Sequence, residues 1–229
     1  PKSEIKAMNF DNFIKSSAES FANVATAPHE TSWAELDEEI RQQLALDAGF
    51  AERTKSAERI RLIVAGLLRI LEVSGDVTLF GSFTTGFKSS SSDLDMVYSG
   101  SIQSDQVVGL LAKLSVKLPE CGFENITKIF NSSIPLVKFT DIKSGIEVDF
   151  CMGNELGVRN SSLLNAYCEY DERVIQVGRM VKDWAKRHEL VGTADGCLNS
   201  YAYMLMTIHY LQSLSPYVVP NLQVLAANR

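Results

Sequence analysis

This chain has little of what marks zinc-binding, secreted and membrane proteins. Of its 229 residues four are cysteine and three are histidine. Cys121, Cys151, Cys168 and Cys197 show no CxxC spacing. That argues against a zinc site and a disulfide framework, and predicts reduced thiols in an intracellular protein, cytoplasmic or mitochondrial. No apolar run reaches the length of a membrane span, and no signal-peptide pattern opens the chain. A basic excess is also missing: the net charge is −6, so there is no broad footprint for duplex nucleic acid. A narrow cationic cleft stays compatible with that balance, because local fields guide a phosphate. No internal repeat occurs, and low complexity is confined to the serines at 89–92. What remains, 45% hydrophobic and 22% charged residues, is the composition of a globular protein with material for one large domain or two small ones.

The stretch 77–98, VTLFGSFTTGFKSSSSDLDMVY, holds the chemistry. Its first four residues read as a buried strand. Gly81 and Ser82 break that strand where backbone N–H groups and a hydroxyl can meet phosphate oxygens. A polar spacer then leads to Asp93 and Asp95, which a strand's period of two puts on one face with Leu94 on the other. With 12 aspartates in the chain, roughly 0.6 Asp-x-Asp pairs arise by chance, so the pair counts only through its surroundings. Two adjacent carboxylates repel each other and suit a divalent cation such as Mg²⁺. Gly81-Ser82, a spacer, then Asp93 and Asp95 resembles the signature of polymerase-β-like nucleotidyltransferases.

Around this stretch the pattern predicts helices over 10–24, 33–51 and 57–73, the last stopping at Gly75. A helix over 105–118 follows, capped by Ser104 and ended at Pro119, then strands over 122–131, 136–141 and 145–151 joined by a turn at 141–145. From 161 onward the character is helical, over 163–170, 171–189 and 199–213. Together these predict an α+β fold, a mixed sheet backed by helices. On the strand 145–151, Asp149 and Glu147 share one face, and alternation leaves open which of them joins the aspartate pair in a two-metal site. Lys182 and Lys186 share a helix face, where an anion between them would reconcile their like charges; a solvated face is the plain alternative. Ser200 and Tyr201 open the last long helix, placed for phosphate and for stacking on a base; an N-cap and a core aromatic are the plain alternatives.

Taken together, LFGSFTTGF…SSDLDMVY, IEVDFCMGNELGVRNSSLL, VIQVGRMVKDWAKRH, LNSYAYMLMTIHYLQ and VPNLQ closely resemble the noncanonical poly(A) polymerase and terminal uridylyltransferase family. The resemblance implies a bidomain fold. A mixed-sheet catalytic palm spans 52–155, a helical domain combines 1–51 with 156–229, and the nucleoside triphosphate lies in the cleft between them. It implies Asp149 rather than Glu147 as the third metal-site carboxylate beside Asp93 and Asp95. It also implies Asn160 on the ribose hydroxyls, Lys182, Lys186 and Ser200 on the triphosphate, and Tyr201 on the base. The expected activity is Mg²⁺-dependent (Mn²⁺ the alternative), template-independent addition of UMP from UTP to a single-stranded RNA 3′ end. Polyadenylation with ATP is the runner-up, and a small-substrate nucleotidyltransferase or a catalytically silent subunit are readings of another class. Family members continue past VPNLQ into a base-recognition loop, so groups choosing the base are expected beyond Arg229. RNA affinity is expected from a protein partner or another segment, and no membrane is involved.

Overall fold

A computed structural model describes residues 50–89, 92–192 and 196–227. The expected helix over 10–24, and all but the last two residues of the one over 33–51, lie outside them. Helix α1 (Phe50–Ile70) buries Ala57, Ile60, Val64, Leu67 and Leu68, spaced at the three- and four-residue steps of one helical face. It ends before the expected stop at Gly75. Glu72 adopts the left-handed conformation, φ 60, and the N–H groups of Glu72 and Val73 donate to the Arg69 and Leu68 carbonyls. This closure usually uses glycine. Gly75 serves elsewhere: a Cβ on it would come within 2.4 Å of the Tyr98 oxygen.

Strands β1 (Asp76–Phe80), β2 (Leu94–Ser99), β3 (Phe123–Ile129), β4 (Leu136–Asp141) and β5 (Glu147–Met152) form one mixed sheet in the order β1-β2-β5-β4-β3. Neighbours are antiparallel except β2 and β5, which run parallel. A hairpin cannot join a parallel pair. The connection instead runs through helix α2 (Ser104–Lys117) and the β3–β4 pair. Ser104, predicted to cap α2, is its first residue; Gln103 flanks the helix and gives no side-chain bond. With its flanking helices the sheet makes the predicted α+β fold.

Register sorts the two sheet faces. Leu94 pairs with Val148, Met96 with Phe150, and those two with Phe139 and Val137. All six are buried in the first core, against α1 and α2. The other face carries Asp95, Asp149 and Lys138 in a row across three strands.

Four helices follow: α3 (Glu155–Tyr170), α4 (Glu172–Arg187), α5 (Ser200–Ser213) and α6 (Leu222–Ala227). Helix α3 starts well before the predicted 163, because Asn154 caps it by accepting from the Gly157 N–H. Asp171 and Asn199 cap α4 and α5 in the same way. A second core gathers Leu164, Tyr167, Val174, Met204, Ile208 and Leu211 from these helices. Phe87, from the loop after β1, belongs to it.

One buried charge fastens α1 to the sheet. Asp141, 1% exposed, accepts from Arg59 at 2.5 Å and from the N–H and hydroxyl of Ser144. Asp141→Ala leaves these donors unpaired and is expected to cost about 3 kcal/mol, measured by urea denaturation.

Candidate functional site

The polar face of the sheet concentrates negative charge. Asp95 on β2 pairs in register with Asp149 on β5, and Asp93 stands just ahead of β2. Each of the three offers a carboxylate oxygen within 4.8 Å of the other two. Glu147 lies two residues before Asp149, paired with Thr140, and is outside this group. Asp93 is exposed, whereas Asp95 and Asp149 are half-buried. Burial, then the charges of Asp93 and Asp149, push the Asp95 carboxyl up to about 7. Burial also raises Asp149, although Lys138 opposes it.

Lys138 was not singled out in the sequence. Its Nζ lies 2.5 Å from Asp149 Oδ2 on the neighbouring strand. Burial opposes its charge, but the bond to Asp149 and the fields of all three aspartates raise its pKa. Alternation in LVKFTD puts Lys138 on the polar face; its partner follows only from the strand order.

Gly81 turns the chain away from β1 at φ +71, and a Cβ there would lie 2.0 Å from Asp95 Oδ2. Only glycine allows this approach. Its N–H, predicted to face a phosphate, instead donates to Ser161 Oγ on α3 at 2.7 Å. Ser82 follows in the short 3₁₀ turn Gly81–Phe83, half-buried. Ser161 is a second residue the sequence did not point to, since nothing local names Gly81 as its partner.

Lys182 is buried at 7% exposure, and its Nζ donates to the Phe87 carbonyl at 3.0 Å. Burial and then Lys186 lower its pKa to about 8, against the pull of Asp93 and Asp95. The lysine is therefore a cation close enough to feel the carboxylate group. Lys186, one turn on, is exposed. Asn160 is half-buried on α3, next to Ser161. Ser200 and Tyr201 begin α5 and are half-buried, with Tyr201 packed on the second core. Neither makes a hydrogen bond to the carboxylate group among the described residues.

The family model for the poly(A) RNA polymerase, mitochondrial-like, central palm domain matches residues 34–169. The chain belongs to this family. Terminal uridylyltransferase 4 of Homo sapiens is 35% identical over 172 residues, 70% of this chain and 10% of that protein. Poly(A) RNA polymerase GLD2 of Danio rerio is 36% identical over 154 residues, 64% of this chain and 31% of that protein. The chain thus spans under a third of these curated relatives. Among solved structures, Cid1 poly(U) polymerase with Mg and 3′-dATP bound matches with a TM-score of 0.64 at 30% identity, over 76% of this chain and 53% of that one. The fold is shared with mtPAP in complex with GTP, with a TM-score of 0.64 at 24% identity, over 70% of this chain and 38% of that one.

In this palm the carboxylate group suits a hard divalent cation, since its donors are all oxygen and cluster around one point. Without a cation the crowding has a measurable sign. The folded-state pKa of Asp95 is raised, so its contribution to stability is full below about pH 4 and is lost as pH rises through 7. Asp95→Asn removes the charge. In EDTA it is expected to unfold a few degrees above the wild type at pH 8, with the gain shrinking toward pH 5, by thermal denaturation across that range.

Proposed function

We propose that this palm transfers a nucleotide to the 3′ end of RNA without a template, UMP from UTP foremost and AMP from ATP as the alternative. The observation that carries the reading is the group of Asp93, Asp95 and Asp149 on one sheet face, beside a buried lysine and a left-handed glycine turn. Three carboxylates at this spacing gain nothing from each other, and a bound cation turns their repulsion into affinity. Mg²⁺ fits the donor set, with Mn²⁺ the alternative. Bound there, such ions supply activation of the 3′-hydroxyl and neutralisation of triphosphate charge.

The chain's own residues bind and orient. Lys182 presents a desolvated positive charge to the phosphates, and Lys186 extends it one turn outward. Ser82, aimed by the Gly81 turn, offers its hydroxyl to the same group, and Ser200 does so from the start of α5. Asn160 holds the ribose hydroxyls, and the Tyr201 ring lies on the base. The RNA 3′-oxygen bonds to the α-phosphorus as the bond to pyrophosphate breaks. The catalytic palm is 52–155, and the helices α3 to α6 line the other side of the nucleotide cleft; the two separate hydrophobic cores support this division. Likeness to terminal uridylyltransferase 4 and Cid1 favours UTP, and the equal likeness to GLD2 keeps ATP as the second nucleotide. The acidic net charge favours RNA affinity supplied by a protein partner or another segment. The setting is inside the cell, cytoplasm or mitochondrion.

Extension of a labelled RNA oligonucleotide with each nucleotide supplied singly tests the reading. Addition is expected with UTP ahead of ATP, and no addition with any nucleotide rejects it. In the same assay Asp149→Ala abolishes transfer while Glu147→Ala stays near the wild-type rate; the reverse result would move the third ligand to Glu147.

Tyr201 acts through its ring, so it adds affinity without choosing a base. Tyr201→Phe is expected to leave both KM values unchanged. Tyr201→Ala raises them by similar factors, equivalent to about 1–3 kcal/mol. A collapse of the UTP/ATP ratio in Tyr201→Phe makes the hydroxyl a specificity contact instead.

A further inference from the structure

The Gly81 turn is gripped from two sides. On one side its Cα lies against Asp95, where a Cβ would come within 2.0 Å of Oδ2. On the other its N–H donates to Ser161 Oγ at 2.7 Å. Ser161 sits on α3, 8% exposed, and its hydroxyl donates in turn to the Gly157 carbonyl at 2.8 Å. That second bond matters, because it commits the hydroxyl proton to α3 and leaves a lone pair for Gly81. Gly157 also lets α3 come close, since a Cβ on it would lie 2.8 Å from the Phe80 ring. Helix, hydroxyl, turn and carboxylate are thereby linked in one line.

We propose that Ser161 is a positioning residue for nucleotide transfer: its hydroxyl locks helix α3 to the Gly81–Ser82 turn and holds that turn against Asp95. The proposal rests on the transfer reading above. Asn160 precedes Ser161 on α3, and Ser82 follows Gly81 in the turn. One hydrogen bond therefore fixes the spacing between the group proposed for the ribose and the group proposed for the phosphates. Alanine at 161 leaves the Gly81 N–H without its partner and frees the turn to drift. The ribose and the phosphates would then be gripped by parts that move independently.

The test uses the full chain with Ser161→Ala, Ser161→Thr and Ser161→Cys. Hydrogen exchange of the Gly81 amide, followed by NMR, reports the bond itself; thermal unfolding reports the fold. Steady-state kinetics on an RNA primer with UTP and with ATP report positioning. Ser161→Ala is expected to lose Gly81 protection and about tenfold in kcat/KM for both nucleotides, mainly through KM. Ser161→Thr keeps the hydroxyl and restores both, while Ser161→Cys, similar in size but a poor acceptor, falls between. If Ser161→Ala loses protection yet keeps wild-type kinetics, or if Ser161→Thr is as impaired as alanine, the positioning role is overturned and the transfer reading stands. A wild type that extends RNA with no nucleotide overturns the transfer reading and the proposal with it.

Discussion

Like charge crowded onto a rigid surface is the constraint that orders this palm. On loops, Asp93, Asp95 and Asp149 would move apart. Asp95 and Asp149 instead sit on adjacent strands whose opposite faces are buried. Sliding either strand by one residue would turn Leu94, Met96, Val148 and Phe150 to the wrong side. The apolar core therefore sets the spacing of the carboxylates. Lys138 and Lys182 relieve part of the repulsion. Burial, with the repulsion that remains, pushes the Asp95 carboxyl up to about 7.

The loop after β1 carries this order to the helices. Phe87 leaves the sheet region for the second core, and Gly178 on α4 meets its ring so closely that a Cβ would lie 2.3 Å from it. Arg179 and Lys182 on α4 donate to the carbonyls of Gly86 and Phe87. Helix α4 is thus fastened to the segment that ends in the aspartates. Lys182 receives its place and its burial from that attachment.

Much of this was legible in the sequence, and the losses follow one rule. Features set by neighbours in the chain came through: the grouping of Asp93 with Asp95 and the strand 136–141. The grouping of Asp149 with Asp93 and Asp95 came from the family resemblance and not from strand alternation, because it depends on the parallel register that pairs Asp95 with Asp149. Lys138 escaped notice because its partner follows from the antiparallel register of β4 with β5. Ser161 was invisible, and the Gly81 N–H expected at a phosphate is engaged by it, because the bond between them is tertiary. At the end of α1 a glutamate, Glu72, performs the turn that the sequence assigned to Gly75.

The parallel β2–β5 pair also bears on how the molecule reaches this state. β1 with β2, and β4 with β5, are neighbours in sequence and can pair early. β2 and β5 meet only after the whole crossover of α2, β3 and β4 has closed its loop, a contact of long sequence separation. Asp95 and Asp149 come from opposite sides of that closure. Until β2 and β5 pair, Asp149 remains apart from Asp93 and Asp95, and the electrostatic penalty of bringing it to them falls due only with that pairing. Assembly of the charged site is in this way deferred until the core that must restrain it is already being built.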